Sequence, residues 1–192
     1  MNLRKLELKD VPLMLEWMHD PSVVENMQTN FADKTIKDCE AFIIRSRDDR
    51  TNINFAIVND NDEYMGTVSL KNISNGTAEF AIAIRKVAMG KGFSAYGMQE
   101  IIRIGFEELG LNLIYWYVAQ ENSRAIRFYD KNGYKRIEKS TLQKLIGGGT
   151  DSLRAAIIFG TKKSGKEEAS PLNFCQYTAT EYKNPSSFEK VI

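Results

Sequence analysis

The sequence predicts a mixed α/β fold. Apolar residues alternate with period two over several short runs and recur at three- and four-residue steps over others. The two kinds of run interleave as β-α-α-β-β-β-α-β-α-β-β. A single domain over residues 1–162 and a tail over 163–192 are expected, because "KKSGKEEASP" has loop composition and the aromatics beyond it have no clean period.

"LRKLEL" (3–8) alternates and predicts a first strand. In "KDVPLMLEWMHDPSV", Leu13, Leu15, Trp17 and Met18 suggest a helix that stops before Pro21. "TIKDCEAFIIRSR" (35–47) places Ile36, Cys39, Phe42 and Ile43 on one helical face, with Thr35 and Asp38 as a cap. "NFAIVND" and "YMGTVSLKNI" flank a polar tetrad and predict a hairpin, and "TAEFAIAIRK" (77–86) predicts a third central strand. Met98, Ile101, Ile102, Gly105, Phe106 and Leu109 make the next segment an amphipathic helix closed by Gly110. "LIYWYVAQ" (113–120) is β-branched and aromatic, hence a buried strand. "NSRAIRFYDKNGY" (122–134) is a short helix capped by Asn122 or Ser123 and ended at Gly133. "RIEKSTLQKLI" and "SLRAAIIFG" are expected as two last strands joined across "GGGTD".

Bulk properties narrow the function. The chain has 192 residues, with 26 basic against 25 acidic side chains, a balance that argues against nucleic acid as a partner. No apolar run reaches the roughly 18 residues that cross a bilayer, and the charged start "MNLRKLELKD" lacks the apolar segment of a secretory signal. A cytoplasmic protein with no membrane association is expected. Cys39 and Cys175 lack metal-ligand spacing and are expected as reduced thiols; with His19 the sole histidine, no metal site is expected.

"GKGFSAYGM" (90–98) lies where the chain passes from strand to helix. A helix N-terminus carries roughly half a positive charge and several free N–H groups, and glycine lets a ligand approach the backbone closely. Gly90, Gly92 and the Ser94 hydroxyl could therefore hold a phosphate; the alternative is a turn that needs glycine only for its angles. The spacing is neither the dinucleotide fingerprint nor a P-loop.

Two segments together, "GKGFSAYGMQEIIRIGFEEL" and "YWYVAQENSRAIRFYDKNGYKRI", resemble the Gcn5-related N-acetyltransferase (GNAT) superfamily. The second carries the family pattern N-x-x-A-x-x-x-Y-x-x-x-G-F/Y at Asn122, Ala125, Tyr129, Gly133 and Tyr134. In the first, the signature frame falls on Met89, Gly92 and Ser94, where Met89 replaces a Gln or Arg and Ser94 a Gly or Ala. "WMHDPSV" and "EFAIAI" are similar to the branch that holds ribosomal-protein alanine and spermidine acetyltransferases. The resemblance implies a mostly antiparallel central sheet of six to seven strands with helices on both faces. It also implies acetyl-CoA as co-substrate, transfer to a primary amine (polyamine, amino sugar or protein N-terminus) by direct attack on the thioester, and no metal.

The resemblance further places the coenzyme along Ile82, Ala83 and Ile84 of the central strand, with the donor to the thioester oxygen among the backbone amides around Ala81 to Ala83 if that strand splays from its neighbour. The pyrophosphate would lie over Met89, Gly90, Lys91, Gly92, Phe93, Ser94 and Ala95. Asn122, Arg124 and Ala125 would hold the pantetheine arm, and Arg85, Lys86, Lys91 and Arg124 could reach phosphates, the alternative for each being an ordinary exposed charge.

Such a transfer needs a neutral amine, although free alkyl amines have a pKa near 10, and a proton for the departing thiolate. By resemblance Tyr129 is the general acid and Glu79 the base, directly or through water. On the residues alone, Tyr129 is an aromatic core position beside Phe128. Glu79, on the strand face opposite Ala78, Phe80 and Ile82, points to solvent or to a cleft. His19, Glu25, Asn30 and Asp151 are candidate acceptor contacts, and the aromatic tail would suit a homodimer interface. The alternative function is a noncatalytic acyl-CoA-binding or protein-interaction module.

Overall fold

The computed structural model describes residues 1–27, 29–147 and 156–163. Seven strands form one sheet in the order β1-β2-β3-β4-β5-β7-β6. They are β1 (Asn2–Lys5), β2 (Ile53–Val58), β3 (Tyr64–Ser74), β4 (Thr77–Ile84), β5 (Leu113–Ala119), β6 (Lys135–Arg136) and β7 (Ala156–Lys162). Every pairing is antiparallel except β4 with β5. The expected mostly antiparallel sheet is present.

Helices cover both faces. α1 (Val11–Met18), the single turn α2 (Pro21–Val24) and α3 (Ile36–Ser46) lie on one. Trp17, Met18, Cys39 and Ile43 pack there against Ala56, Val58 and Tyr64. Thr35 and Asp38 start α3 as a reciprocal capping box, as the sequence predicts. α4 (Phe93–Arg103) and α5 (Ser123–Lys131) cover the other face, burying Met98, Ile101 and Tyr129 against Ile57, Val68, Phe80 and Trp116. α4 sits close on the sheet because Gly97 has no side chain; a Cβ there would run into Ile57. α4 continues as a π-turn over Ile104–Glu108 and stops at Gly110, whose φ of +67° leaves the helical region.

Two elements depart from expectation: the turn α2, which adds a third helix before β2, and the segment after Gly133. "RIEKSTLQKLI" gives only Arg136 to the two-residue β6, and most of it forms α6 (Lys139–Ile146). Leu142 is fully buried under Tyr115 and Ile158, with Ile146 four residues on beside it, a helical step rather than an alternating one. Gly147 closes α6 at φ +77°. Asp151, the "GGGTD" bend's later part, Cys175 and the tail lie outside the described residues.

Candidate active site

β4 and β5 separate. Their pairing runs Thr77 with Leu113, Ala78 with Ile114 and Glu79 with Tyr115, and then stops, although β4 continues to Ile84 and β5 to Ala119. On its other edge β5 stays bonded to β7 as far as Ala119. The sheet therefore carries a wedge-shaped gap flanked by Phe80–Ile84. Alternate main-chain N–H and C=O groups along that stretch turn away from β3 and lack a strand partner. A cleft of about 1270 Å³ passes through the gap and joins the two faces of the sheet.

On the α4 side, the cleft reaches Met89, Gly90, Gly92, Ser94 and Ala95. Gly90 and Gly92 adopt φ of +75° and +88°, so here glycine serves the backbone directly. Space around Gly90 is open, and Gly92 caps α4 with no side chain bonded to the helix end. Met89 and Lys91 spend their N–H groups on Lys86 O and Ala88 O, and Tyr96 N–H closes on Gly92 O. The first-turn donors before Tyr96 have no preceding turn to bond. Lys91 and Phe93 stay off the cleft wall, Phe93 because its ring is buried in the core.

The α5 wall brings Asn122, Arg124, Ala125 and Tyr129 to the cleft, as the sequence predicts. Asn122 caps α5, its Oδ1 accepting from Ala125 N–H at 3.0 Å, and its amide N–H groups have no partner among the described residues. The Tyr129 ring is buried against Trp116, Phe128, Tyr134 and Phe159, with centroids 5.1 to 6.1 Å away. Its hydroxyl makes no hydrogen bond among the described residues. Burial first, and Tyr134 second, push its pKa well above the ordinary phenol range, so it stays protonated. Trp116 also lines the cleft, and its indole N–H is buried without a partner among the described residues. An uncapped helix end, open backbone at the glycine turn and unpaired strand edges fit a long ligand with one anionic end and several amides.

On the opposite face, residues of period two from β2, β3 and β4 form the floor: Asn54, Thr67, Ser69, Lys71, Glu79 and Ala81. Glu79 is half-buried, lies across from Lys71 on one side and Tyr115 on the other, and accepts from Asn72 Nδ2 at 3.3 Å. Trp17, Phe31, Phe42 and Glu25 overhang this floor, Trp17 and Phe31 meeting edge to face at 5.1 Å. Of the other candidate contacts, His19 bonds Lys34 O outside the cleft and Asn30 bonds Asp33 and Ala32.

Arg85 is a correction. It does not face a phosphate; it is buried, clamping Glu16 bidentately at 2.7 and 3.0 Å and bonding Glu63 and Tyr64 O at 2.9 Å. Lys86 sits 3.8 Å from Asp20. The sequence reading passed over Thr67, Ser69 and Tyr117, although polar residues inside the apolar run "MGTVSL" and a tyrosine on Glu79's face were available signals.

A family model for the acetyltransferase (GNAT) domain matches residues 1–135. The chain belongs to the GNAT acetyltransferase family. This GNAT enzyme is 31% identical over 144 residues to an uncharacterized N-acetyltransferase, p20, of Bacillus licheniformis, covering 71% of this chain and 79% of that protein. It is 24% identical over 173 residues to spermidine N(1)-acetyltransferase of Vibrio cholerae, covering 88% of this chain and 98% of the relative. Among solved structures, the Vibrio cholerae spermidine N-acetyltransferase in complex with CoA and spermine superposes with a TM-score of 0.70 at 21% identity, over 84% of this chain and 94% of that one. Among the described residues, no helix is long and apolar enough to cross a membrane.

Proposed function

We propose that the enzyme transfers the acetyl group of acetyl-CoA to a primary amine by direct attack, with Tyr129 as general acid and Glu79 as base. The observation that carries this reading is the gap between β4 and β5, which links an uncapped helix N-terminus on one face to a carboxylate on the other. The α4 first turn and Arg124 hold the phosphates, Asn122 donates to the pantetheine arm, and an unpaired N–H of Ala81–Ala83 bonds the thioester oxygen as negative charge grows there. Glu79, directly or through water, removes the ammonium proton; the amine nitrogen bonds the carbonyl carbon and the carbon–sulfur bond breaks. Tyr129 gives its proton to the departing sulfur, and the second proton of the nitrogen passes through water to the tyrosinate, leaving a neutral amide and a restored phenol. The named polyamine relatives and the CoA in solved neighbours support the class of co-substrate and acceptor, since a primary amine is common to them.

The test is calorimetric titration with acetyl-CoA, followed by thiol release with a panel of amines. Saturable binding together with amine-dependent thiol release is the expected result. Binding without release from any amine leaves a noncatalytic acyl-CoA module in its place.

A further inference from the structure

The floor of the acceptor arm has hydrogen-bond polarity fixed from behind. Trp17 Nε1, which can only donate, bonds the Tyr64 hydroxyl at 3.0 Å, and that hydroxyl lies 2.6 Å from Thr67 Oγ1. Tyr64 is fully buried and has no other acceptor among the described residues, so its proton goes to Thr67. Thr67, 92% withdrawn from solvent and on the cleft wall, then has its own O–H proton directed at the cleft.

A second chain runs the opposite way. Ser46 donates to Phe42 O at 2.8 Å, so Asn54 must present its NH₂ to Ser46, 3.2 Å away, and its oxygen to Ser69. Ser69 donates to that oxygen at 2.7 Å and so offers the cleft only lone pairs. The floor thus places a hydroxyl with a free proton, Thr67, about 7 Å along β3 from an obligate acceptor, Ser69. Glu79, a further acceptor, lies diagonally across β4 from Ser69.

Charge points the same way. Around this arm Lys34, Arg45 and Lys71 line the cleft and form no ion pair among the described residues. Against them stand Glu25, Glu79 and Asp38; the charge of Asp38 acts on Lys34 and Arg45, and Lys71 faces Glu79 across the strands, with no carboxylate within ion-pair distance of any of the three cations among the described residues. A polyamine brings several positive charges and only donors; it adds charge beside these cations and leaves the Thr67 proton without an acceptor.

Building on the acetyltransferase reading above, we propose that the acceptor is a primary amine carrying an anionic oxygen group on the same molecule, a carboxylate or a phosphate. Its nitrogen lies between Ser69 Oγ and Glu79, and its anion accepts from Thr67 O–H.

Thiol release with the full chain tests this, comparing ω-amino acids of increasing length, O-phosphoethanolamine, putrescine and spermidine. The expected result is a higher kcat/KM for an anionic amine than for either polyamine; comparison of the carboxylate and phosphate arms shows which anion serves. Thr67→Val should raise KM for that amine about tenfold with kcat within about twofold, and Thr67→Ser should restore it. A polyamine preferred by the unaltered enzyme overturns the proposal and leaves the acetyltransferase reading standing, as does a folded Thr67→Val variant with unchanged KM. Failure to bind acetyl-CoA, or no release from any amine, overturns the acetyltransferase reading itself.

Discussion

Replacing Tyr129 by Phe separates its packing from its chemistry. The ring is 8% exposed and touches four aromatic neighbours, all of which Phe retains. The hydroxyl has no protein partner among the described residues, so its removal orphans nothing. The usual cost of breaking a hydrogen bond, about 1–3 kcal/mol when a buried partner is left unsatisfied, therefore does not arise. The stability change should stay within about 1 kcal/mol, and losing a poorly solvated hydroxyl pushes it toward stabilisation. If the phenol protonates the leaving thiolate, the rate loss is of another order: positioned acids contribute about 10²–10⁴-fold. Thermal unfolding with and without acetyl-CoA, set beside thiol release at saturating acetyl-CoA, measures both. Unchanged stability and acetyl-CoA affinity with a large fall in kcat is expected. An unchanged rate would refute the acid assignment, and a stability loss of several kcal/mol would refute the account of an unbonded hydroxyl.

Three further outcomes follow from the same geometry. Arg85→Met should cost about 1–3 kcal/mol, because the buried Tyr64 O loses its charged donor while the exposed Glu16 and Glu63 are resolvated, and acetyl-CoA affinity measured by calorimetry stays constant in the folded variant. Gly92→Ala meets no steric block, its Cβ lying 3.6 Å from the Met1 side-chain end, but φ of +88° costs an L-residue about 1–2 kcal/mol. Melting temperature should fall accordingly, and acetyl-CoA should bind more weakly as the turn relaxes. Side-chain hydrogen bonds from Asn52 and then Thr51 hold Asp49 at about 2, below its ordinary 3.8, and Arg85 holds Glu63 below its ordinary 4.5. Groups with depressed folded-state values stabilise fully above their unfolded values and lose that contribution as pH falls toward the folded ones. Melting temperature should accordingly be flat from neutrality to about pH 5 and decline between about pH 4.5 and 2.

Much of this was legible in the chain because its causes are local. The Thr35–Asp38 box and the Asn122 cap depend on residues three positions apart, and both formed. The helix stops at Gly110 and Gly133 need only a residue tolerant of positive φ, and both glycines adopt it. Period two placed Glu79 opposite Ala78 and Phe80, and the structure keeps that alternation. Where propensity was ambiguous, as over Lys139–Ile146, the burial of Leu142 under Tyr115 and Ile158 chose helix over strand.

By itself, then, the sequence determined most of the elements, their caps, the glycine turn and the family, since these follow from neighbours within one or two turns of chain. The tertiary structure alone decided where β4 leaves β5, that Arg85 is an internal clamp, and which groups Thr67 and Ser69 meet. Each of those depends on groups from distant segments, such as Glu16 with Arg85 or Trp17 with Tyr64, and a hydrogen bond acquires direction only when both ends are in place.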